Sequence, residues 1–468
     1  MIFLRNHDEF RDELLRRKSE FDTRRHRRNR ILTQGTCAVL CLCLVIGFLL
    51  PGVPVPIAPT EPLISNTDPT STPSIPPVTH PGNTQTLNLL SGFIPADTQG
   101  QPLNDAFNAA QMNFALELLQ GSYNGENTLV SPLSATLALS MTASGAGGNT
   151  LAQMEDVLCG GMDIADWNDY LKYYVNSLPT SKDVKLAIAN SIWYDSNAGL
   201  MVKPAFLQTV ADHYDADIFA TPFVPGTVNE INNWVSNNTD GLIQKPLDRV
   251  DDIMYLINAL VFDGKWATPY SSNDLKTFSF TTEDGTVQDA LAMFSTEHWF
   301  LQSESATGFM KDYAGGDYRF VAILPDREIT LSEYVKALTP EELTSMLKNV
   351  QQTDIGAYLP QFECGSKLSL VEILMDMGIT DVFNSMQADL SPMATSDDGR
   401  NLFVDEVIHQ TFIRVDADGT QAAATTIVGV NRAMAMGREI ILDRPFLYMI
   451  VDTQTNLPIF IGTVTDLG

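Results

Sequence analysis

Cysteine is scarce in this sequence. Five cysteines occur in 468 residues, and three of them, Cys37, Cys41 and Cys43, lie in a single apolar segment near the N-terminus. The other two, Cys159 and Cys364, cannot form a disulfide framework for so long a chain. The body of the protein must therefore be stabilised by its own hydrophobic core, and we expect both of these thiols to be free.

Basic residues are also scarce outside the first 32 positions. That stretch holds ten Lys and Arg residues against six Asp and Glu residues, which leaves 19 basic and 51 acidic residues for the remainder of the chain. A body this acidic repels phosphate backbones and other polyanions. We therefore expect neither nucleic acid nor a heparin-like polyanion as a partner.

Motifs that carry enzyme chemistry are absent. The chain has no G-x-S-x-G, H-E-x-x-H, C-x-x-C or G-x-x-x-x-G-K-[ST], and its six histidines are scattered. The stretch GAGGNT (145–150) lacks a lysine and follows a helical pattern, which indicates a turn between helices. DADG (416–419) is only a fragment of a calcium-binding loop. We expect no enzyme activity, no metal ion and no cofactor.

The N-terminal segment has the features of a membrane anchor. Arginines cluster between residues 24 and 30, and the uncharged run 31–60 follows, with its most apolar part at 37–50. Flanking apolar residues extend that part to the roughly 20 that span a bilayer. Because basic residues stay on the cytoplasmic side, we predict a cytoplasmic basic tail over 1–33, a single-pass signal anchor over 34–57 and an extracellular remainder. A cleaved signal peptide is the alternative, although no clear A-x-A cleavage site follows the run.

The next segment is rich in proline, serine and threonine and almost free of charge. Proline fixes φ and favours extended, solvated backbone. We predict a linker over residues 58–87 that holds a folded domain, residues 88–468, away from the membrane.

From residue 88 onward, helical and strand-like hydrophobic spacing alternate without a fixed repeat, which excludes a solenoid. Helices are predicted over residues 103–125, 134–161 (two helices with a glycine-rich turn between them), 204–223, 228–243 and 367–383. Strands are predicted over residues 184–195, 254–266, 318–326 and 404–416, with a hairpin that has TQTN as its turn over 446–464. The pattern is typical of an α+β domain.

Four stretches resemble signature blocks of the serpin family, in the family's order and spacing. They are NTLVSPLSATLALSMTASGAGGNT (127–150), LINALVFDGKW (256–266), DEVIHQTFIRVDADGTQAAATT (405–426) and DRPFLYMIVDTQTNLPIFIGTVTD (443–466). YRFVAILPD and GITDVFNSMQADLS add to the likeness. The resemblance covers residues 88–468 and implies a serpin fold with three β-sheets, about nine helices and an exposed reactive loop near the C-terminus. It suggests a bacterial-type, membrane-anchored member of the family.

The resemblance implies an inhibitor of serine proteases that acts as a monomer. A protease attacks the reactive loop and forms an acyl-enzyme, and the cleaved loop, about residues 420–433, inserts as a strand into the central sheet before water releases the enzyme. The target supplies the catalytic serine. A non-inhibitory serpin that acts as a surface binding protein is the alternative.

The residues of the loop suit insertion without appeal to the family. Thr420, Ala422, Ala424 and Thr426 form one alternating set of small or β-branched side chains, which continues through Val428 and Val430. No charge interrupts it. Inserting about 14 residues at roughly 3.3 Å each displaces the cleaved end by nearly 50 Å.

The resemblance assigns a hinge to the start of the loop. The hinge residues are Gly419, Thr420, Gln421, Ala422, Ala423, Ala424, Thr425 and Thr426. Two positions depart from the family pattern, since Ala417 and Gln421 stand where serpins commonly have Glu. The small residues that a hinge requires are present.

Two ways of counting place the reactive bond differently. Counting forward from Gly419 by the spacing usual in the family gives Ala433, and counting back from Pro445 gives Met434. Either side chain suits an apolar pocket, which favours an elastase-like or subtilisin-like target. Arg432 leaves a trypsin-like target open.

The resemblance also places two groups of residues in the central sheet. Ser131, Ser134, Asn258 and His409 correspond to the serpin shutter, a buried polar network that couples sheet opening to loop insertion. His409 is not expected to be a catalyst. Trp266 corresponds to the tryptophan at the breach, where the loop enters the sheet, although simple core packing also accounts for a buried tryptophan.

Overall fold

The computed structural model describes residues 86–243, 247–250, 253–420 and 438–467. The predicted basic tail, the predicted anchor, nearly all of the predicted linker and the loop segment 421–437 lie outside these residues. Within the described ranges, no helix is long and apolar enough to cross a membrane.

The described residues form nine α-helices and three β-sheets, as the α+β prediction required. The helices are α1 (Asp105–Ser122), α2 (Pro132–Ala143), α3 (Gly148–Cys159), α4 (Ile164–Ser177), α5 (Pro204–His213), α6 (Thr227–Asn238), α7 (Leu331–Ala337), α8 (Pro340–Lys348) and α9 (Val371–Met377). The strands are β1 (Leu87–Asn88), β2 (Thr128–Val130), β3 (Val184–Asp195), β4 (Leu200–Val202), β5 (Ala216–Thr221), β6 (Met254–Lys265), β7 (Leu275–Thr281), β8 (Val287–Gln302), β9 (Ala306–Asp312), β10 (Tyr318–Pro325), β11 (Gln351–Pro360), β12 (Phe362–Ser369), β13 (Ala394–Ser396), β14 (Glu406–Val415), β15 (Gly419–Thr420), β16 (Arg438–Ile441), β17 (Phe446–Asp452) and β18 (Pro458–Val464).

The central sheet has seven strands in the order β1-β5-β3-β6-β15-β14-β12. The second sheet has nine, in the order β16-β11-β8-β9-β10-β17-β18-β2, with β7 paired to β8. Strands β13 and β4 form the third sheet. Leu87, which the sequence analysis assigned to the end of the linker, pairs with Ala220 at the edge of the central sheet.

Helix α2 lies between the two large sheets. Ser131 caps it by accepting a hydrogen bond from the Ser134 N–H, and Pro132 occupies the first turn, where an N–H would have no intrahelical partner. Every residue of the helix is buried, so it has no polar face. The helix packs on β3 and β6 of the central sheet and on β18 of the second sheet.

Strand β6 is an almost uninterrupted apolar run because both of its faces are buried. Tyr255 and Ile257 face α6 and join a cluster with Ile231 and other residues of that helix. The alternate residues, such as Leu256, belong to the main core on the other side of the sheet. Asn258 lies on that main-core face, where it interrupts the apolar series.

Some element predictions are wrong in extent. The helix predicted over 204–223 ends at His213, and Ala216–Thr221 forms β5, because the apolar residues after Tyr214 recur at strand spacing. The helix predicted over 367–383 is confined to α9, since its first residues continue β12. The strands predicted over 184–195 and 254–266 and the hairpin over 446–464 are confirmed, as is the turn between α2 and α3.

Candidate functional site

The predicted reactive loop is bracketed by two short strands. Its first residues, Gly419 and Thr420, form β15, and the chain returns at Arg438 in β16, which pairs in parallel with β11. Gln421, Ala422, Ala423, Ala424, Thr425, Thr426, Arg432, Ala433 and Met434 lie outside the described residues. Their roles in the hinge and at the reactive bond stay predictions.

Strand β15 occupies one end of the seam between β6 and β14. Gly419 pairs with Lys265 and Thr420 with Gly264, while Thr420 also pairs with Val415, and both pairings are antiparallel. A Cβ on Gly419 would overlap the carbonyl oxygen of Gly264 and lie 2.7 Å from the Lys265 Cα. The close approach of the two backbones therefore requires glycine at this position.

The residues before β15 form a tight turn. The Asp416 carboxylate accepts hydrogen bonds from the N–H groups of Asp418, at 3.0 Å, and Gly419, at 3.2 Å. Burial raises the pKa of Asp416 above its usual range. The DADG stretch thus uses its first carboxylate to hold the hinge turn, and no cluster of metal ligands is found in the described part of the chain.

Trp266 contacts the residues that directly precede the predicted hinge. Its indole Nε1 donates a hydrogen bond to the Asp416 carbonyl at 2.8 Å, and its backbone N–H donates to the Asp418 carbonyl at 3.0 Å. Its ring stacks on Tyr313 with centroids 4.6 Å apart. The Tyr313 hydroxyl lies 2.5 Å from the Thr420 hydroxyl. Trp266 therefore combines core packing with hydrogen bonds to the segment that leads into the loop.

A buried ion pair lies beside this tryptophan, and the sequence analysis did not find it. The Lys311 ammonium is 2.8 Å from the Glu297 carboxylate, and the two side chains are only 3% and 10% exposed. Burial lowers the pKa of Lys311, but its interactions with Tyr270 and with the Glu297 carboxylate outweigh that effect and raise the pKa above its ordinary value. The signal in the sequence was a lysine that directly follows the apolar residues Phe309 and Met310 of β9.

The predicted shutter residues come together beneath the central sheet. Asn258 on β6 and His409 on β14 are direct register partners, and the His409 Nδ1 lies 2.8 Å from the Asn258 side-chain oxygen. The Ser131 N–H donates to His409 Nε2 at 3.0 Å, and the Ser131 hydroxyl donates to the Ile459 carbonyl at 2.8 Å. The network thus joins β6, β14, the start of α2 and β18.

These contacts determine the tautomer of His409. Because Nε2 accepts from a backbone N–H, the proton of the neutral ring is on Nδ1, which donates to Asn258. Burial without a neighbouring charge lowers the pKa of His409 to about 4. The imidazole is therefore neutral at pH 7 and is held by hydrogen bonds within the core.

Asn258 brings one further residue into the network. Its side-chain N–H groups donate to the Ser134 carbonyl and to the Asn190 side-chain oxygen. Ser134 thus contributes its backbone, since its own hydroxyl is buried without a hydrogen-bond partner among the described residues. Asn190 on β3 was not predicted, although an asparagine within an apolar strand was the available signal.

Cys159 and Cys364 are both free and buried. Burial raises the pKa of the Cys364 thiol to about 11 and raises that of Cys159 further. Neither thiol is suited to nucleophilic chemistry at neutral pH.

Comparison with known proteins gives consistent matches. The family model described as "Serpin (serine protease inhibitor)" matches residues 109–467. Human neuroserpin is 28% identical over 372 residues, covering 74% of this chain and 87% of that protein. An alpha-1-antitrypsin-like protein of Tamias sibiricus is 30% identical over 363 residues, covering 73% of this chain and 84% of that protein.

Solved structures agree with these matches. The thermophilic serpin tengpin in its native state superposes with a TM-score of 0.79 at 42% identity, covering 82% of this chain and all of that one. Its latent state gives a TM-score of 0.71 at the same identity, covering 79% of this chain. Thyroxine-binding globulin in complex with thyroxine, at 22% identity and a TM-score of 0.69, shares the fold.

Proposed function

Because the chain belongs to the serpin family, we propose that it inhibits serine proteases by trapping the acyl-enzyme through insertion of its cleaved reactive loop. The observation that carries this proposal is the position of β15. Its two residues already lie between β6 and β14, antiparallel to both. A cleaved loop that continues β15 would extend its existing backbone pairing with β6 and β14.

The arrangement of the seam supplies a driving force. From Glu406↔Tyr255 to Phe412↔Val261, β6 and β14 pair directly with each other, in parallel. A strand inserted antiparallel to both would replace one parallel ladder with two antiparallel ladders, and antiparallel pairing is the more stable of the two per residue. Insertion would also bury the small side chains of the predicted hinge on the main-core face.

The chemistry of the trap needs no catalytic group from this chain. The protease serine attacks the carbonyl carbon of the reactive bond, the amine of the following residue leaves, and an ester joins the loop to the enzyme. Insertion then carries the ester nearly 50 Å if about 14 residues enter the sheet. The attached protease is thereby carried away before water can hydrolyse the ester and release it.

For the target we retain the preference for an elastase-like or subtilisin-like protease, cleaving after Ala433 or Met434. A trypsin-like protease cleaving after Arg432 is the alternative.

For the location we propose a bacterial-type protein held by a single-pass N-terminal anchor, with a monomeric inhibitory domain outside the cell membrane. The apolar run at residues 37–50 and the preceding arginines support this location.

One experiment tests the proposal. The full-length chain is mixed with elastase-like, subtilisin-like and trypsin-like proteases, and the products are examined for adducts stable in sodium dodecyl sulfate. Sequencing the released C-terminal peptide identifies the cleaved bond. We expect an adduct and an N-terminus at Met434 or Ala435. Cleavage of the loop by every protease, with full retention of protease activity, would contradict the proposal and favour a non-inhibitory binding protein.

A further inference from the structure

Four polar side chains form a closed circuit beside Trp266, in which Tyr270, Glu297 and Lys311 are buried and Ser295 is half-buried. The Ser295 hydroxyl lies 3.1 Å from the Tyr270 hydroxyl and 2.5 Å from the Glu297 carboxylate. Glu297 pairs with Lys311, and the Lys311 ammonium lies 4.3 Å from the centre of the Tyr270 ring. We call the Lys311–Glu297 contact the breach ion pair.

The fold does not require charges at this place. Phe309 and Met310, which precede Lys311 on β9, are fully buried, and β10 beside them is buried and apolar along most of its length. Desolvating two ions offsets most of their attraction, so apolar residues of similar shape would be expected to stabilise the core at least as well. Stabilisation of the core therefore does not explain why this pair is charged.

The contacts of Lys311 indicate that role. Its ammonium lies 4.3 Å from the Tyr270 ring centre and 5.4 Å from the Trp266 ring centre, and a desolvated cation attracts such rings strongly. Both rings belong to the segment 266–270. Lys311 therefore fixes that segment through its contacts with the two rings, and the ion pair with Glu297 fixes the position of the Lys311 ammonium.

The same segment also holds the residues that precede the predicted hinge. Three hydrogen bonds connect it to the residues before β15. The Trp266 N–H donates to the Asp418 carbonyl at 3.0 Å, the Trp266 Nε1 donates to the Asp416 carbonyl at 2.8 Å, and the Tyr270 N–H donates to the Ala417 carbonyl at 2.9 Å. A continuous chain of contacts thus runs from the breach ion pair to the start of the reactive loop.

We propose that Lys311 and Glu297 are positioning residues for loop insertion. They keep the segment 266–270 in the place where it holds Gly419 and Thr420 inside the seam, so that a cleaved loop starts from a strand already paired. Insertion competes with hydrolysis of the acyl-enzyme. The breach ion pair therefore raises the fraction of cleaved molecules that trap a protease, an inference that rests on the proposed inhibitory function.

The test uses the full-length double variant E297Q/K311M. Removing both charges avoids an unpaired buried ion, which could unfold the single variants. Methionine keeps the unbranched shape of lysine and its packing against the rings. The matched control, D398N/R400M, removes an exposed ion pair whose side chains are 46% and 59% exposed. K311R serves as the conservative variant, because arginine retains the charge and the contact with the rings.

The loop of each variant is first cleaved with a metalloprotease, which forms no acyl-enzyme, and the rise in thermal stability is followed with time. We expect the double variant to melt like the wild type before cleavage but to insert its loop about tenfold more slowly, as loss of a cation–π contact implies. With a serine protease, the number of inhibitor molecules consumed per trapped enzyme should rise severalfold. K311R should retain most of the wild-type rate, and the control should match the wild type.

The outcomes are distinct. A double variant that inserts its loop at the wild-type rate overturns the role of the breach ion pair and leaves the inhibitory function intact. A lower melting temperature with an unchanged insertion rate shows a merely structural pair and also overturns it. A wild-type chain that gains no stability after cleavage overturns both proposals.

Discussion

The breach and the shutter lie along one seam but close it in different ways. At the breach, β15 fills the gap between β6 and β14, and Trp266 and Tyr270 hold the residues that precede it. At the shutter, β6 and β14 pair with each other directly, and the hydrogen bond from His409 to Asn258 joins them from below. On the proposed mechanism, an inserting strand would continue a pairing already present at the breach, whereas at the shutter it would have to replace the direct pairing of β6 with β14.

This contrast assigns each region its own part in the mechanism. If the proposed insertion mechanism holds, contacts at the breach would set where and how readily insertion starts, and the shutter network would determine how much free energy the opening of the sheet requires. Variants of the two regions should therefore affect different measurements, and the following predictions run from the largest expected effect to the smallest.

A charge in the inserting strand should abolish trapping. Ala424 belongs to the alternating set of Thr420, whose side chain is fully buried on the main-core face. The variant A424R would place an unpaired guanidinium in that core, which is strongly unfavourable. We expect normal loop cleavage without any covalent adduct on a denaturing gel. Q421R, whose side chain would point to the other face of the inserted strand, is the control and should still form the adduct.

Removing the shutter histidine should destabilise the intact protein. H409A leaves the Ser131 N–H and the Asn258 side-chain oxygen without their partner in a buried site. We expect a loss of about 3 kcal/mol in the free energy of unfolding, measured by urea denaturation. Q410A changes the neighbouring residue on the opposite face and should be nearly neutral. Equal stabilities for H409A and the wild type would show that the network does not close the seam.

The same histidine should make the shutter sensitive to acid. Its pKa is lowered to about 4 in the folded state, below the unfolded value of about 6.5, so the unfolded chain binds more protons between these values. Its contribution to stability is thus complete above pH 6.5 and is lost as the pH falls towards 4. We expect a loss of about 2 kcal/mol at pH 5.

The acid effect is measured as a difference. Carboxylates also titrate near pH 5, so the unfolding free energy of the wild type is compared with that of H409A across the range from pH 7 to 4. The gap between the two proteins should narrow as the pH falls. A gap that is constant with pH would contradict the neutral, hydrogen-bonded state of His409.

Loss of one hydrogen bond at the breach should have the smallest effect. W266F keeps an aromatic ring against Tyr313 but removes the Nε1 donor to the Asp416 carbonyl. We expect a loss of about 1 kcal/mol in the unfolding free energy of the intact protein, together with slower loop insertion. W234F, on α6, removes a comparable donor to Asp217 and should leave the insertion rate unchanged. If both variants inserted at the same rate, the breach would have no special part in entry.

Sequence and structure agree best where burial alone determines the element. The bounds predicted for β3 and for the C-terminal hairpin match because their long apolar runs are largely buried. Helices α4, α7 and α8 were not predicted, because each buries only a few residues against its neighbours and its apolar signal is short.

The candidate site was predictable only in part. Ser131, Asn258 and His409 were assigned through the resemblance to the family, and their positions on neighbouring elements bring them together. The pairing of Lys311 with Glu297 depends on the register of β8 and β9, which hydrophobic spacing alone does not determine. The pairing of Gly419 and Thr420 with β6 and β14 was also not predicted, because a stretch of two residues is too short for its hydrophobic spacing to distinguish a strand from a loop.

The most direct test compares the melting temperature of the intact chain with that of the same chain after a single cut between residues 421 and 437. The account predicts that the nicked form melts at a clearly higher temperature and that its cut segment becomes protected from further proteolysis. Identical melting temperatures, with the cut segment still digested rapidly, would contradict it.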